Sequence, residues 1–275
     1  SWNILMMLSL FAIILLPRQF HISVVENTSP RHIAKAMWVF PLYLLLINIF
    51  VLPIALAGKM MFEAGVHPDT YVLSLPLAKG AAWLALAAFI GGFSAATSMV
   101  VVEATALSIM FSNHIVVPLL IKTRSIGGND LVNGAARLLD IRRISILLML
   151  FLAYWYQKSV GNTYDLVSVG LISFTAAAQL APAMIGGLYW KRATHQGAVT
   201  GLIVGFFIWA FCLPLPSMAQ AGIISNTFVS EGLFGISFLK PYALFGMTGL
   251  DPITHAAFWS LFLNAWAYAI VSVNT

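Results

Sequence analysis

Between Lys35 and Lys59 the chain runs through residues 36–58 without a charged side chain, and between Lys79 and Glu103 it does so again through residues 80–102. Each run matches the roughly 20 residues an α-helix needs to cross about 30 Å of hydrocarbon. Lipid offers nothing to an unpaired N–H or C=O, so the backbone there must close its own hydrogen bonds, which a helix does within one segment. Only 8% of the 275 residues are charged, against about a quarter in a soluble chain, and the mean hydropathy is +0.92. These features predict an all-α, polytopic membrane protein lying in the lipid bilayer.

Apolar runs set against charged punctuation predict seven transmembrane helices, at about 1–16, 34–58, 80–111, 143–158, 165–190, 196–214 and 253–273. Lys and Arg counts then orient them. With the first loop inside, the inner loops hold Arg18, Arg31, Lys35, Lys122, Arg124, Arg137, Arg142, Arg143, Lys191 and Arg192, and the outer ones Lys59, Lys79, Lys158 and Lys240. By the positive-inside rule this asymmetry predicts a cytoplasmic C-terminus in a cell inner membrane. The net charge of +5 thus belongs to helix ends meeting anionic headgroups. It forms no aromatic-interleaved basic patch, so no nucleic-acid partner is expected. The stretch from Pro214 to Pro252 is an outer connection with apolar, Phe-rich pieces, expected on the membrane surface or packed on the bundle.

The chain opens with Ser1 and Trp2 already in an apolar run, and is expected to be a fragment. Cys212, the lone cysteine, sits in an apolar run and reads as a small core residue. His32, His67, His114, His195 and His255 are scattered without metal-site spacing, so no metal and no cofactor are expected. No nucleophile elbow, zincin motif or phosphate-binding glycine loop occurs, and the segment is not expected to be an enzyme.

Three stretches carry sharper patterns. In "IILLPRQFHISVVEN" the apolar helix meets Pro17 and turns polar at Arg18, Gln19 and His21. This is either an ordinary helix end entering the headgroups or a break that exposes polar groups to a water-lined path. In "AQLAPAMIGGLYWKRATHQGAVTGLIVG", Pro182, Gly186 and Gly187 loosen a helix, while Gly197, Gly201 and Gly205 form a smooth stripe for a close-packed neighbour. Gln179, one turn before Pro182, needs a partner inside a helix; it either faces a solute pathway or makes an interhelical bond. In "FIGGFSAATSMVVVEATALS", Ser94, Thr97, Ser98, Thr105, Ser108 and Ser112 share one helical stripe, and Glu103 lies two turns, about 10 Å, beyond Ala96 on nearly the same face.

The string from Ala178 to Gly205 resembles the signature of the sodium/solute symporter family, with Arg192, Gly197, Ala198, Gly201 and Gly205 on its positions and Phe207 departing from it. Gln19, His21, Ile22 and Val24 resemble the polar string at the corresponding place in proline- and sugar-transporting members. The resemblance implies a LeuT-like inverted-repeat symporter fold, of which this chain is the second half: the second five-helix repeat at about 1–190 and two peripheral helices at about 196–273. It implies that Pro17 breaks the discontinuous first helix of that repeat, with a substrate pathway near Phe11, Leu15, Gln19, His21 and Gln179. It places the family's two hydroxyl ion ligands at Ala95 and Ala96, which cannot ligate, beside Ser94, Thr97 and Ser98. The coupling ion is then Na+ or H+. With a family ligand lost, Glu103 is either a proton-coupling carboxylate or a hydrated or paired glutamate at the inner mouth.

"LPRQFHISVVEN", "GGFSAATSMVVVEATALS" and "GLDPITHAAFWSLFLNAWAYAIVSV" further resemble the transporter module of CbrA-type sensor histidine kinases. That resemblance implies a small organic solute, an amino acid such as histidine, together with missing N-terminal helices of the same module and cytoplasmic kinase domains. Two classes stay open: a secondary transporter, alone or joined to a kinase, and a non-transporting solute receptor controlling one.

Overall fold

The computed structural model describes residues 2–62, 65–122, 131–160 and 165–275. Among them every regular element is helical. In chain order the helices are α1 (Trp2–Leu15), α2 (Pro17–Phe20), α3 (Pro30–Asn48), α4 (Val51–Met61), α5 (Tyr71–Ala78), α6 (Ala82–Phe111) and α7 (Val117–Lys122). They continue as α8 (Leu131–Val160), α9 (Leu166–Ala178), α10 (Ala181–Tyr189), α11 (His195–Cys212), α12 (Pro214–Gln220), α13 (Thr227–Glu231) and α14 (Pro252–Asn274).

Five segments are long and apolar enough to cross a membrane: Pro30–Met61, Ala82–Leu119, Leu166–Tyr189, His195–Gln220 and Pro252–Asn274. Trp2–Leu15 with Pro17–Val25 makes a sixth if the pair, bent by 48°, counts as one span. The seventh expected span, 143–158, falls within α8, but its uncharged stretch between Arg143 and Lys158 covers only residues 144–157. At 1.5 Å per residue those positions reach about 21 Å, short of the hydrocarbon thickness, so a crossing needs both basic side chains to snorkel. Arg124 lies outside the described residues.

The chain divides into two compact units. The first comprises residues 2–20 and 151–275. Its axis is the pair α11 and α14, and the glycine stripe is what lets them meet. A Cβ on Gly201 would lie 2.8 Å from the Asn264 carbonyl oxygen, and one on Gly197 2.9 Å from that of Tyr268. The backbones therefore approach as closely as small residues permit. Both helices are capped in the expected way: the Thr194 hydroxyl accepts from the Gly197 N–H at 3.1 Å, and the Asp251 carboxylate from the Thr254 N–H at 3.0 Å.

The outer connection packs on the bundle through Leu244, which is buried with Ile172, Phe211, Cys212 and Ala256. Its turn depends on Gly232 at φ 93°, where a side chain would strike the Ile236 carbonyl. Cys212 is a buried free thiol, as expected of a core residue.

The second unit, His21–Leu150, is built differently. α3 is exposed along its length and α4 apart from a half-buried Ile54 and a buried Gly58, as is α6 from Leu86 to Met99 apart from a half-buried Ala88. The small-residue stripe on α6 is split: Ser94, Thr97 and Ser98 are exposed, whereas Ser108 and Ser112 are buried. At the end of α6 a π turn, Ser112–Val116, opens where Pro118 has no N–H to give, and Val117 reaches back to the Ser112 carbonyl instead.

Candidate functional site

The first helix breaks as its sequence predicts. Leu16 still donates to Ala12 at 3.2 Å and Phe20 to Leu16 at 2.9 Å. Pro17 between them has no N–H for the Ile13 carbonyl, so the axis turns there. After Phe20 the chain widens into a π turn, His21–Val25, closed by the Glu26 N–H on the His21 carbonyl at 2.9 Å. His21 Nε2 lies 3.1 Å from Glu26 Oε1. Of the expected pathway residues here, Phe11, Gln19 and His21 are half-buried and Leu15 is buried.

Within the first unit, α1, α10 and α14 enclose an open, apolar groove of about 700 Å³ whose walls include Phe11, Pro182, Gly186, Trp190, Phe258 and Tyr268. Trp190 meets Tyr268 edge to face, ring centres 5.5 Å apart. Gly186 matters because a Cβ there would collide with the Tyr268 ring. Phe11 lines this groove; Leu15, Gln19 and Gln179 lie outside its lining.

Gln179 stands at the break between α9 and α10 and is fully buried. Its Nε2 donates to Ser260 Oγ at 2.8 Å and to the Thr175 carbonyl at 3.2 Å. Asn264 Nδ2 in turn donates to the Gln179 carbonyl at 2.8 Å and to its Oε1 at 3.1 Å. The carbonyl matters most, since a helix broken before Pro182 leaves acceptors that lipid cannot satisfy. The interhelical reading of Gln179 thus has a specific geometry: α14 repairs the break with Asn264 and Ser260. Sequence reasoning missed these two partners. Their signal was the polar pair Ser260 and Asn264, one helical turn apart near the middle of a membrane span.

On α6, Ser94, Thr97 and Ser98 line a shallow cavity of about 440 Å³ made by that helix alone. Ala95 and Ala96 lie beside it, exposed. Thr97 Oγ1 donates to its own helix, at the Phe93 carbonyl, 2.8 Å away. Glu103, further along, is half-buried. A second segment facing these hydroxyls would be needed to complete an ion's oxygen shell, and the α6 cavity contains none.

Among the scattered histidines, His255 is fully buried and its Nε2 accepts the Leu244 N–H at 3.0 Å. That bond assigns its proton to Nδ1 and ties α14 to the outer connection.

Part of the chain is similar to sodium/proline symporter 2 of Staphylococcus saprophyticus subsp. saprophyticus: 31% identity over 110 residues, taking in 34% of this chain and 21% of that protein. The chain thus spans about one fifth of the relative's length. No protein-family model and no solved structure matches it. Helical architecture and this similarity together define a multi-pass, solute-transporter-like membrane protein.

Proposed function

We propose that the chain is part of a secondary active transporter for a small organic solute, an amino acid such as proline or histidine. On this reading it is the second half of a LeuT-like inverted-repeat fold, with seven helices crossing the membrane and α8 as the snorkelling one. The observation that carries the proposal is the stretch 31% identical to a sodium/proline symporter. The bend at Leu16, just beyond the groove-lining Phe11, supports it, because a discontinuous helix is where such carriers expose backbone to cargo.

The exposed α6 face carrying Ser94–Ser98 then awaits helices of the missing first repeat, and Glu103 is the residue through which H+ replaces or supplements Na+ as coupling ion. The charge asymmetry supports a cytoplasmic C-terminus in an inner-membrane protein. A kinase of the CbrA-type architecture would attach there, and solute occupancy would reach it only through differential affinity for two states of the bundle.

The test is labelled proline and histidine uptake into vesicles holding the intact transporter, under sodium, proton or no gradient, with Glu103→Gln beside the parent. Gradient-driven uptake is expected, with the proton-driven part lost in the variant. Uptake of neither solute under any gradient ends the proposal, and strict sodium dependence untouched by the substitution ends the role of Glu103. Phosphorylation measured in the same protein with solute present separates a transporting sensor from a receptor that does not transport.

A further inference from the structure

A second cavity lies within the first unit. It encloses about 230 Å³ where the start of α9, the junction of α11 and α12, the outer connection and the start of α14 converge. Asp251, Gln220, Tyr242, Ser217 and Ser168 bring oxygen to its lining. Asp251 is the one charged residue there, and no Lys, Arg or His stands with it. Ile172, Leu213 and Ile253 bring carbon to the same lining.

Several acceptors belong to this lining. Asp251 uses Oδ2 to cap α14 through the Thr254 N–H at 3.0 Å. Gln220 gives one Nε2 hydrogen to the Tyr242 hydroxyl at 3.1 Å, and its Oε1 is an acceptor. The buried Ser217 gives its proton to the Leu213 carbonyl at 2.8 Å and keeps its lone pairs. Burial works against the Asp251 carboxylate, but hydrogen bonds from Thr254 and from its own backbone N–H together hold the carboxyl below the ordinary range. The group is therefore ionised at neutral pH.

We propose that this cavity, lined by Asp251, Gln220, Ser217 and Ser168 together with Ile172 and Leu213, binds a small aliphatic primary amine. The ammonium has donors and charge for the Asp251 carboxylate and the neutral oxygens, and the short carbon chain has the apolar side chains to cover. The volume is many times the roughly 10–15 Å³ that one water needs, which suits a ligand with a carbon skeleton over a bare ion. Such a site at the outer mouth would concentrate or sense cationic solutes independently of the α1 groove, and it does not depend on the transport reading above.

Calorimetric titration of the purified protein in lipid nanodiscs tests this with n-propylammonium, its neutral isostere n-propanol, and sodium ion. The expected result is saturable binding of n-propylammonium, with n-propanol at least about tenfold weaker, since a charge-assisted hydrogen bond is lost. Asp251→Asn should weaken n-propylammonium binding by a similar factor without lowering the melting temperature, because Asn caps a helix as well as Asp. Equal affinity for the amine and the alcohol, undiminished amine binding in Asp251→Asn, or no amine binding at all overturns the proposal. Sodium binding more tightly than the amine overturns the choice of an organic ligand.

Discussion

At the residue scale, Gln179 shows how a polar side chain is made tolerable inside a membrane helix. Its side-chain hydrogen bonds go to α9 and α14, so its removal takes from Ser260 the amide that donates to it and from Asn264 the weaker of two acceptors, the Gln179 carbonyl staying in place. Gln179→Leu is expected to cost about 1–2 kcal/mol of folding stability, the range of interhelical hydrogen bonds in model membrane helices. Gln179→Leu with Asn264→Leu should cost less than the sum of the single changes, because each single change already loses the bond between the two side chains. Reversible unfolding in mixed micelles checks both; strictly additive losses would show that the two amides are not coupled. Asp251 makes a separate prediction. Asp251→Ala should lose about 1 kcal/mol through the missing cap. The carboxyl of Asp251 is held below its ordinary value, so its contribution is whole at neutral pH and disappears as pH falls through that lowered value. The parent and the Ala variant should therefore converge in stability in acid, and a difference that grows on acidification contradicts the assignment.

Helices meet in this molecule through what they lack. The α11 stripe works because hydrogen replaces a side chain at Gly197, Gly201 and Gly205, and α14 fills the space with Ser272, Tyr268 and Asn264. Asn264 Oδ1, buried without a hydrogen-bond partner, lies 2.8 Å from where a Gly201 Cβ would be. It therefore sits against the Cα–H of that glycine, a weak donor that recurs at such interfaces. Gly201→Ala should thus cost about 1–3 kcal/mol by overpacking, and Gly201→Leu should separate the helices. A Gly201→Leu protein with the parent's unfolding midpoint would refute this packing. The sequence displayed the stripe openly, since a four-residue glycine period is local. The identity of the facing helix was not legible, because Gly201 and Asn264 are brought together only by the folded chain. The same holds for Phe245, whose positive φ of 55° accompanies ring packing on Trp259 at 4.7 Å; no local signal marks it.

For the whole molecule, hydropathy made most of the membrane helices readable in advance, because a run of apolar residues has one stable form in lipid. Charge intrudes on the pattern at α8, where Arg142 and Arg143 shorten the apolar stretch without ending the helix. The break in the first helix was readable from Pro17, a single residue that removes one donor. What it borders was not, since the groove beside Phe11 is assembled with α10 and α14 from the far end of the chain. The long exposed apolar faces of α3, α4 and α6 are suited to lipid or to the packing of another apolar helix.

The central claim is that the broken first helix borders the solute path. Single cysteines at Phe11, Leu15, Gln19 and His21, in the intact transporter with Cys212 replaced by serine, give the direct test with a membrane-impermeant thiol reagent. Cysteines at Gln19 and His21 should react from the cytoplasmic side, and saturating solute should slow labelling at Phe11 and Gln19 at least severalfold. Labelling that solute leaves unchanged at all four positions would place the break away from the path and contradict the account.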